Sequence, residues 1–429
     1  MNYSEVVSFL ESLQIMPKTM PGLQKINRAL VQTDWFSSID PKKVIVVAGT
    51  NGKGTTCAAL QSLLLAADQR VGFYSSPHLV STTERIRING LEISENNFVE
   101  VFHDCKKLIQ ECELSHFEAL TLMAGHYFFS SKWNGNLDFV ILEVGLGGTY
   151  DATNAFPHKF CAITKLGLDH LNILGTDLVS VASNKFGIVT NKSIVVHHRL
   201  PEEVMELKYQ VQKETNSNWV EAEVATLHKD TRAPVPRYRI DYMANKIPTN
   251  LTGERAFENI MTAITLFQIL GFDIESAYQG LARIDWKGRM QKILWPQMKA
   301  PLFLSGDHNA QGVESLIELL KDFKWKRLHL VVGIGVDKDV KEMLSQLMKL
   351  SSVSLYLTET PFKGLTVGQY PQEFLEQAKS TSPNVKDILD QVAVIADEDD
   401  LCIVTGSLYL VGEVLKIAPS AVPSTSSQR

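Results

Sequence analysis

The stretch with the clearest chemistry is GTNGKGTT, Gly49 to Thr56. An apolar, β-branched run from Val44 to Ala48 precedes it, and from Thr55 to Ala67 the apolar residues recur at helical spacing, so it reads as strand, Gly-rich turn, helix. Glycines let such a turn curl until several backbone N–H groups point at one phosphate, and the helix N-terminus adds partial positive charge. Lys53 would reach the terminal phosphates and the Thr55 hydroxyl would face a Mg²⁺ ion, with Thr50, Asn51, Gly52 and Gly54 contributing the cradle. Gly54 stands between Lys53 and Thr55, so the spacing departs from the full Walker pattern. A tight turn in an α/β domain is the plainer reading of the same residues.

The elements that must position this loop follow an α/β rhythm. Strands are expected at Val71–Ser75, Phe139–Val144, Phe160–Thr164 and Ile194–Val196, with helices at Glu118–Ser131 and Leu178–Asn184 between them. Such alternation implies a parallel sheet covered by helices. After Asp230, Pro234, Pro236 and Pro248 punctuate a small strand-rich excursion ahead of a helix at Ala256–Leu270. The rhythm restarts with strands at Pro301–Leu304, Leu328–Val332, Ser354–Leu357 and Leu401–Val404. With 429 residues, and roughly 100–200 residues per domain as the prior, two domains are expected, 1–296 and 297–417, followed by a disordered Pro/Ser-rich tail, 418–429.

Composition narrows the function classes. The 45% hydrophobic and 21% charged residues are those of a globular chain, and a net charge of −6 argues against a broad nucleic-acid surface. Five scattered cysteines, without a CxxC pair or zinc spacing, read as reduced core residues. No basic segment precedes an apolar run at the N-terminus, and no run approaches the ~18 residues that cross a bilayer, so a cytoplasmic protein without membrane or nucleic-acid partners is expected.

Further motifs appear in order: YSSPHLVSTTERIRING from Tyr74, LEVGLGGTYDATN from Leu142, LDHLNILG from Leu168, SNKFGIV from Ser183, GRMQ from Gly288, GDHN from Gly306, VDKD from Val336 and TGSLYLVGE from Thr405. With GTNGKGTT they resemble the bifunctional dihydrofolate synthase/folylpolyglutamate synthases of the Mur ligase superfamily over nearly the whole chain. The resemblance implies an α/β fold, in which a P-loop central domain with a parallel sheet is joined to a smaller Rossmann-like C-terminal domain. It also implies an ATP-dependent, ADP-forming ligase that adds L-glutamate to dihydropteroate or tetrahydrofolate through an acyl phosphate, working as a monomer. Another Mur-type amino-acid ligase and a nucleotide-binding regulatory protein remain the alternatives.

The residue assignments that follow are what the resemblance implies. Ser76, Glu143 and His170, with Thr55, would hold Mg²⁺, and a second ion would pair with Lys185 carried as a carbamate. Lys53, Lys185 and His170 would be catalytic, and Asn259 and Arg289 would contact ATP. Ser115, His116, Phe117 and Glu118, with Tyr150, Asp151 and Ala152, match segments lining the dihydropteroate site, where Asp151 would accept hydrogen bonds from the pterin. The resemblance also has departures: Arg255 and Ala256 stand where the family has His and Gln, Ser305 where it has Asp, and Thr149 where it has Arg. Asn184 and Phe186 flank Lys185 in place of Glu and Ala, and Lys363 lies near a usual Arg.

Overall fold

The structure, a computed structural model of the chain, describes residues 1–14, 22–134 and 136–418. The chain divides into two compact units: residues 1–226, 240–250 and 255–285 form the first, and residues 227–239, 251–254 and 286 onward the second. The Pro/Ser-rich end beyond Ala418, expected to be disordered, lies outside the described residues.

The first unit is built on an eight-stranded sheet: β1 (Val44–Ala48), β2 (Val71–Tyr74), β3 (Ile86–Ile88), β4 (Leu91–Glu92), β5 (Phe139–Glu143), β6 (Phe160–Ile163), β7 (Ile194–His197) and β8 (Asn218–Glu221). Their order is β4-β3-β2-β5-β1-β6-β7-β8. β2 with β3 and β3 with β4 pair antiparallel, and the remaining neighbours pair parallel. Every residue of β1 is buried, as expected of VIVVA in a strand covered on both faces. β1 lies between β5 and β6, so the loops after these three strands stand side by side at the carboxyl edge, where open α/β sheets bind ligands.

Residues 226–248 supply the strand-rich excursion as a three-stranded sheet, β11-β10-β9, of Thr226–Asp230 (β9), Arg237–Tyr242 (β10) and Asn245–Pro248 (β11). The second unit carries six strands: β12 (Arg289–Ile293), β13 (Leu302–Ser305), β14 (Leu328–Val332), β15 (Val353–Thr358), β16 (Ser380–Ser382) and β17 (Leu401–Thr405). They run in the order β12-β13-β17-β14-β15-β16, with only β12 antiparallel to its neighbour. The apolar residues of this sheet and its helices make a separate core that includes Leu316, Leu330, Leu344, Leu357 and Ile403.

The sequence reading did not place β12, of five residues, nor β3, β4, β8 and β16, which have two to four residues each. A run that short has no periodicity to read. All five cysteines are free and buried. Among the described residues no single helix is long and apolar enough to cross a membrane.

Candidate active site around the phosphate loop

Gly49 leaves β1 at φ 147° and Gly52 caps the following helix, Lys53–Ala66, in the left-handed region at φ 96°. Both glycines are required by crowding as well as by φ. A Cβ on Gly49 would lie 1.9 Å from Thr164 Oγ1, and one on Gly52 would lie 2.1 Å from Asn259 Oδ1. The loop is braced from β6: Thr50 and Asn51 donate their N–H groups to the Lys165 carbonyl at 3.0 and 3.3 Å, and Thr164 Oγ1 donates to the Asn51 carbonyl at 2.8 Å. Thr50 Oγ1 donates in turn to the Gly167 carbonyl at 2.8 Å.

Two lysines converge on this loop. Lys53 Nζ donates to the carbonyls of Gly49 at 3.1 Å and Thr50 at 3.2 Å, and Lys185 Nζ donates to the same Gly49 carbonyl at 2.9 Å. Lys185, near the end of the helix Leu178–Phe186, is 4% exposed. Its burial, and secondly the positive Lys53, bring its ammonium from 10.5 down to about 7, against the pull of Asp169 and Asp151.

On the other flank, the buried Glu143 ends β5 and its Oε2 accepts the Ser76 N–H at 3.1 Å. Beneath them, burial pushes the Cys57 thiol well up, with Glu143 reinforcing and Lys53 opposing the shift. His170, in the loop after β6 at φ 51°, keeps a one-third exposed side chain near Asp169, whose carboxylate accepts the His170 N–H at 2.9 Å. No group of three or more His, Cys, Asp or Glu stands at metal-binding spacing among the described residues. What the loop does present is a buried carboxylate and hydroxyl groups beside a phosphate cradle. That hard-oxygen set fits Mg²⁺, which is held by one or two carboxylates with phosphate oxygens and water.

The segments expected to face a pterin turn out to be tightly bonded within themselves. Ser115 begins the helix His116–Phe129, and its N–H and Oγ both donate to Glu118 Oε2, at 2.9 and 2.7 Å, as a capping box. His116 Nδ1 meets the Leu10 carbonyl at 2.9 Å. Phe117 packs its ring 5.9 Å from Tyr74 and so close to Gly145 that a Cβ there would lie 2.7 Å from Phe117 Cζ. Asp151 Oδ2 accepts the N–H groups of Gly145 and Leu146 at 3.0 and 2.9 Å, and Oδ1 accepts the N–H and Oγ–H of Thr153 at 3.0 and 2.6 Å. A carboxylate has about four accepting positions. All four of Asp151's are used inside its own loop, which they shape. Ala152 is buried beside it, and Tyr150 is 46% exposed.

Asn259, 2% exposed, lies against Gly52, and its Oδ1 has no hydrogen-bond partner. In the second unit Arg289 opens β12 in register with Ser305, the last residue of β13. Ser305 Oγ donates to Asp307 Oδ2 at 2.5 Å, so Asp307, two positions on, brings a buried carboxylate to the site of the missing one. Sequence reasoning did not single out Thr164, whose hydroxyl ties the loop, or Glu84, whose carboxylate accepts the N–H groups of Leu79, Val80 and Ser81 at 2.8, 2.7 and 2.8 Å. The S-x-x-E spacing of Ser81 and Glu84 is a readable capping-box signal. Thr164 has no local signal, because its partner is 113 positions away.

Known proteins are similar to this chain in sequence and in fold. The family description "Mur ligase middle domain" matches residues 47–267, and "Dihydrofolate synthetase, C-terminal domain" matches 292–417. The chain is 31% identical to the dihydrofolate synthase/folylpolyglutamate synthase of Escherichia coli (strain K12), over 96% of this chain and 94% of that protein. Among solved structures, a bifunctional folylpolyglutamate synthase/dihydrofolate synthase with Mn, AMPPNP and L-glutamate bound superposes with a TM-score of 0.81 at 30% identity, covering 97% of this chain and 98% of that one. E. coli FolC in complex with DHPP and ADP gives a TM-score of 0.81 at 28% identity, covering 97% of each chain. With the middle-domain match spanning more than half the chain and a 31% identical relative aligned over nearly its full length, this chain belongs to the dihydrofolate synthase/folylpolyglutamate synthase family of Mur-type ligases.

Proposed function

We propose that the protein is an ATP-dependent ligase performing both reactions of its relatives, joining L-glutamate to dihydropteroate and extending the glutamate chain of tetrahydrofolate. The observation that carries this reading is the convergence of Lys53 and Lys185 on the Gly49 carbonyl of the phosphate loop. A nucleotide's terminal phosphates would draw Lys53 off that carbonyl, and its charge would then offset the negative charge that grows on the transferring oxygens. Thr50, Asn51, Gly52, Gly54 and Thr55 supply the cradle, with Asn259 against Gly52. Thr55, Ser76, Glu143 and His170 are the residues that would hold the divalent ion, whose charge neutralises the phosphates when it is bound. The bound Mn, AMPPNP and L-glutamate of the solved relative support this reading.

The substrate carboxylate attacks the γ-phosphorus, the bond to ADP breaks and an acyl phosphate forms. The neutral amine of glutamate then attacks the acyl carbon and phosphate leaves. Lys185, near neutrality at physiological pH, is suited to take up CO₂ with loss of a proton, giving a carbamate that would hold a second ion. Folate and nucleotide phosphates are assigned to residues 1–296 and the Rossmann-like ligase domain to residues 297–417, in a cytoplasmic monomer.

The test is purified protein with ATP, Mg²⁺, glutamate and either dihydropteroate or tetrahydrofolate, followed by mass analysis. ADP release that requires both the pteroate-type substrate and glutamate is expected. Release independent of either would favour a nucleotide-binding regulatory protein, and turnover confined to other acidic substrates would favour another Mur-type ligase.

A further inference from the structure

We infer that Thr149 and Asn154 are positioning residues that clasp the Lys185 end of its helix, an inference that rests on Lys185 working in the reaction. The last carbonyls of a helix lack intrahelical partners and must find donors elsewhere. For the helix Leu178–Phe186 the loop after β5 provides them. Thr149 brings its N–H to 2.8 Å and its Oγ–H to 3.0 Å from the Asn184 carbonyl. Asn154 Nδ2 bridges the Thr149 carbonyl at 3.1 Å and the Gly187 carbonyl at 3.0 Å, tying both sides of the contact with one side chain.

The approach is close enough to need glycine on both surfaces. A Cβ on Gly148 would lie 2.7 Å from the Asn184 carbonyl and 3.0 Å from that of Lys185, and one on Gly187 would lie 1.9 Å from Thr149 Oγ1. Asp151 anchors the start of the same loop through Gly145 and Leu146. The helix end that bears Lys185 is thus held on the carbonyls of residues 184 and 187, while the Lys185 side chain runs inward to Gly49. A displacement of about 1 Å at a reacting centre can cost on the order of 10²-fold in rate. Releasing the clasp therefore disturbs turnover without touching the nucleotide.

The experiment uses the full chain and the variants Thr149→Val, Thr149→Ser, Asn154→Ala and Lys185→Ala, with ADP release and melting temperature measured on each. Valine keeps the shape of threonine and the backbone N–H bond, so Thr149→Val removes one hydroxyl donor from a folded protein. Thr149→Val and Asn154→Ala are expected to lower kcat about tenfold with KM for ATP within about twofold of wild type, while Thr149→Ser retains wild-type kcat. Wild-type kcat in both Thr149→Val and Asn154→Ala overturns the clasp, as does a loss in Thr149→Ser equal to that in Thr149→Val, or one that follows a fall in melting temperature. Full activity of Lys185→Ala instead removes the reading of Lys185 itself, which separates the two failures.

Discussion

Lys53 and Lys185 share one carbonyl but differ in what surrounds them, and their expected behaviour differs accordingly. Lys53 is half-buried at the loop and supports no core, so Lys53→Ala should leave the melting temperature nearly unchanged while lowering turnover by about 10²–10³-fold, the usual cost of one preorganised charge-stabilising group. Retention of more than about a tenth of wild-type turnover would remove it from that role. Lys185 is held near neutrality by burial and by Lys53, so between pH 7 and 10.5 the unfolded chain binds a proton that the folded chain lacks. The cost of burying Lys185 is therefore complete below pH 7 and is relieved as pH rises through that window, by up to about 1.4 kcal/mol per pH unit. Lys185→Met, which keeps the volume without the amine, should be more stable than wild type at pH 7 in CO₂-free buffer, with the difference in urea midpoint shrinking toward pH 10. A difference that does not change with pH would show that the amine stays charged.

Among the elements, the loop after β5 has the most exacting local chemistry. Asp151 accepts from three backbone N–H groups and one hydroxyl, and the carboxyl, although burial raises it from the ordinary range, is held by those donors. The sequence reading places this carboxylate on a pterin edge, which would make Asp151→Ala selective against dihydropteroate. The hydrogen bonds point to a different outcome. Each buried donor left without an acceptor costs about 1–3 kcal/mol, so Asp151→Ala should lower the melting temperature and reduce turnover of dihydropteroate and tetrahydrofolate in parallel. A selective loss in a variant of unchanged stability would restore the direct contact. The SHFE run at Ser115–Glu118 is likewise a helix start, with Phe117 left to pack on Tyr74.

For the whole chain, the two units have separate hydrophobic cores, one around the parallel sheet of β1, β5 and β6 and the other around β14, β15 and β17. A ligand that binds only the folded state adds stability by mass action, about 2.7 kcal/mol at a hundredfold excess over its Kd. ADP with Mg²⁺ at that excess should raise the melting temperature of wild type by several degrees, and Lys53→Ala should reduce the shift. An unchanged wild-type melting temperature at saturating nucleotide would contradict phosphate binding at Gly49–Thr56, whatever the outcome of the activity assays.

The sequence by itself determined the parts whose causes are local in the chain. VIVVA followed by glycines and a helical repeat specifies strand, turn and helix without any distant partner, and β1 spans Val44–Ala48 as read. Spacing was enough to order the motifs and so to reach the family. What only the tertiary structure decided depends on residues far apart in the chain. Nothing local tells that Lys185 ends on Gly49, 136 positions away, or that Thr164 braces Asn51, because the parallel sheet brings these loops together through crossovers. The same holds for Asp151: its residue type suits a ligand contact as well as a loop anchor, and only the tertiary structure shows that Gly145, Leu146 and Thr153 bring their donors to it. Residue type shows which hydrogen bonds a side chain can make, and the packed fold decides which of them are already made.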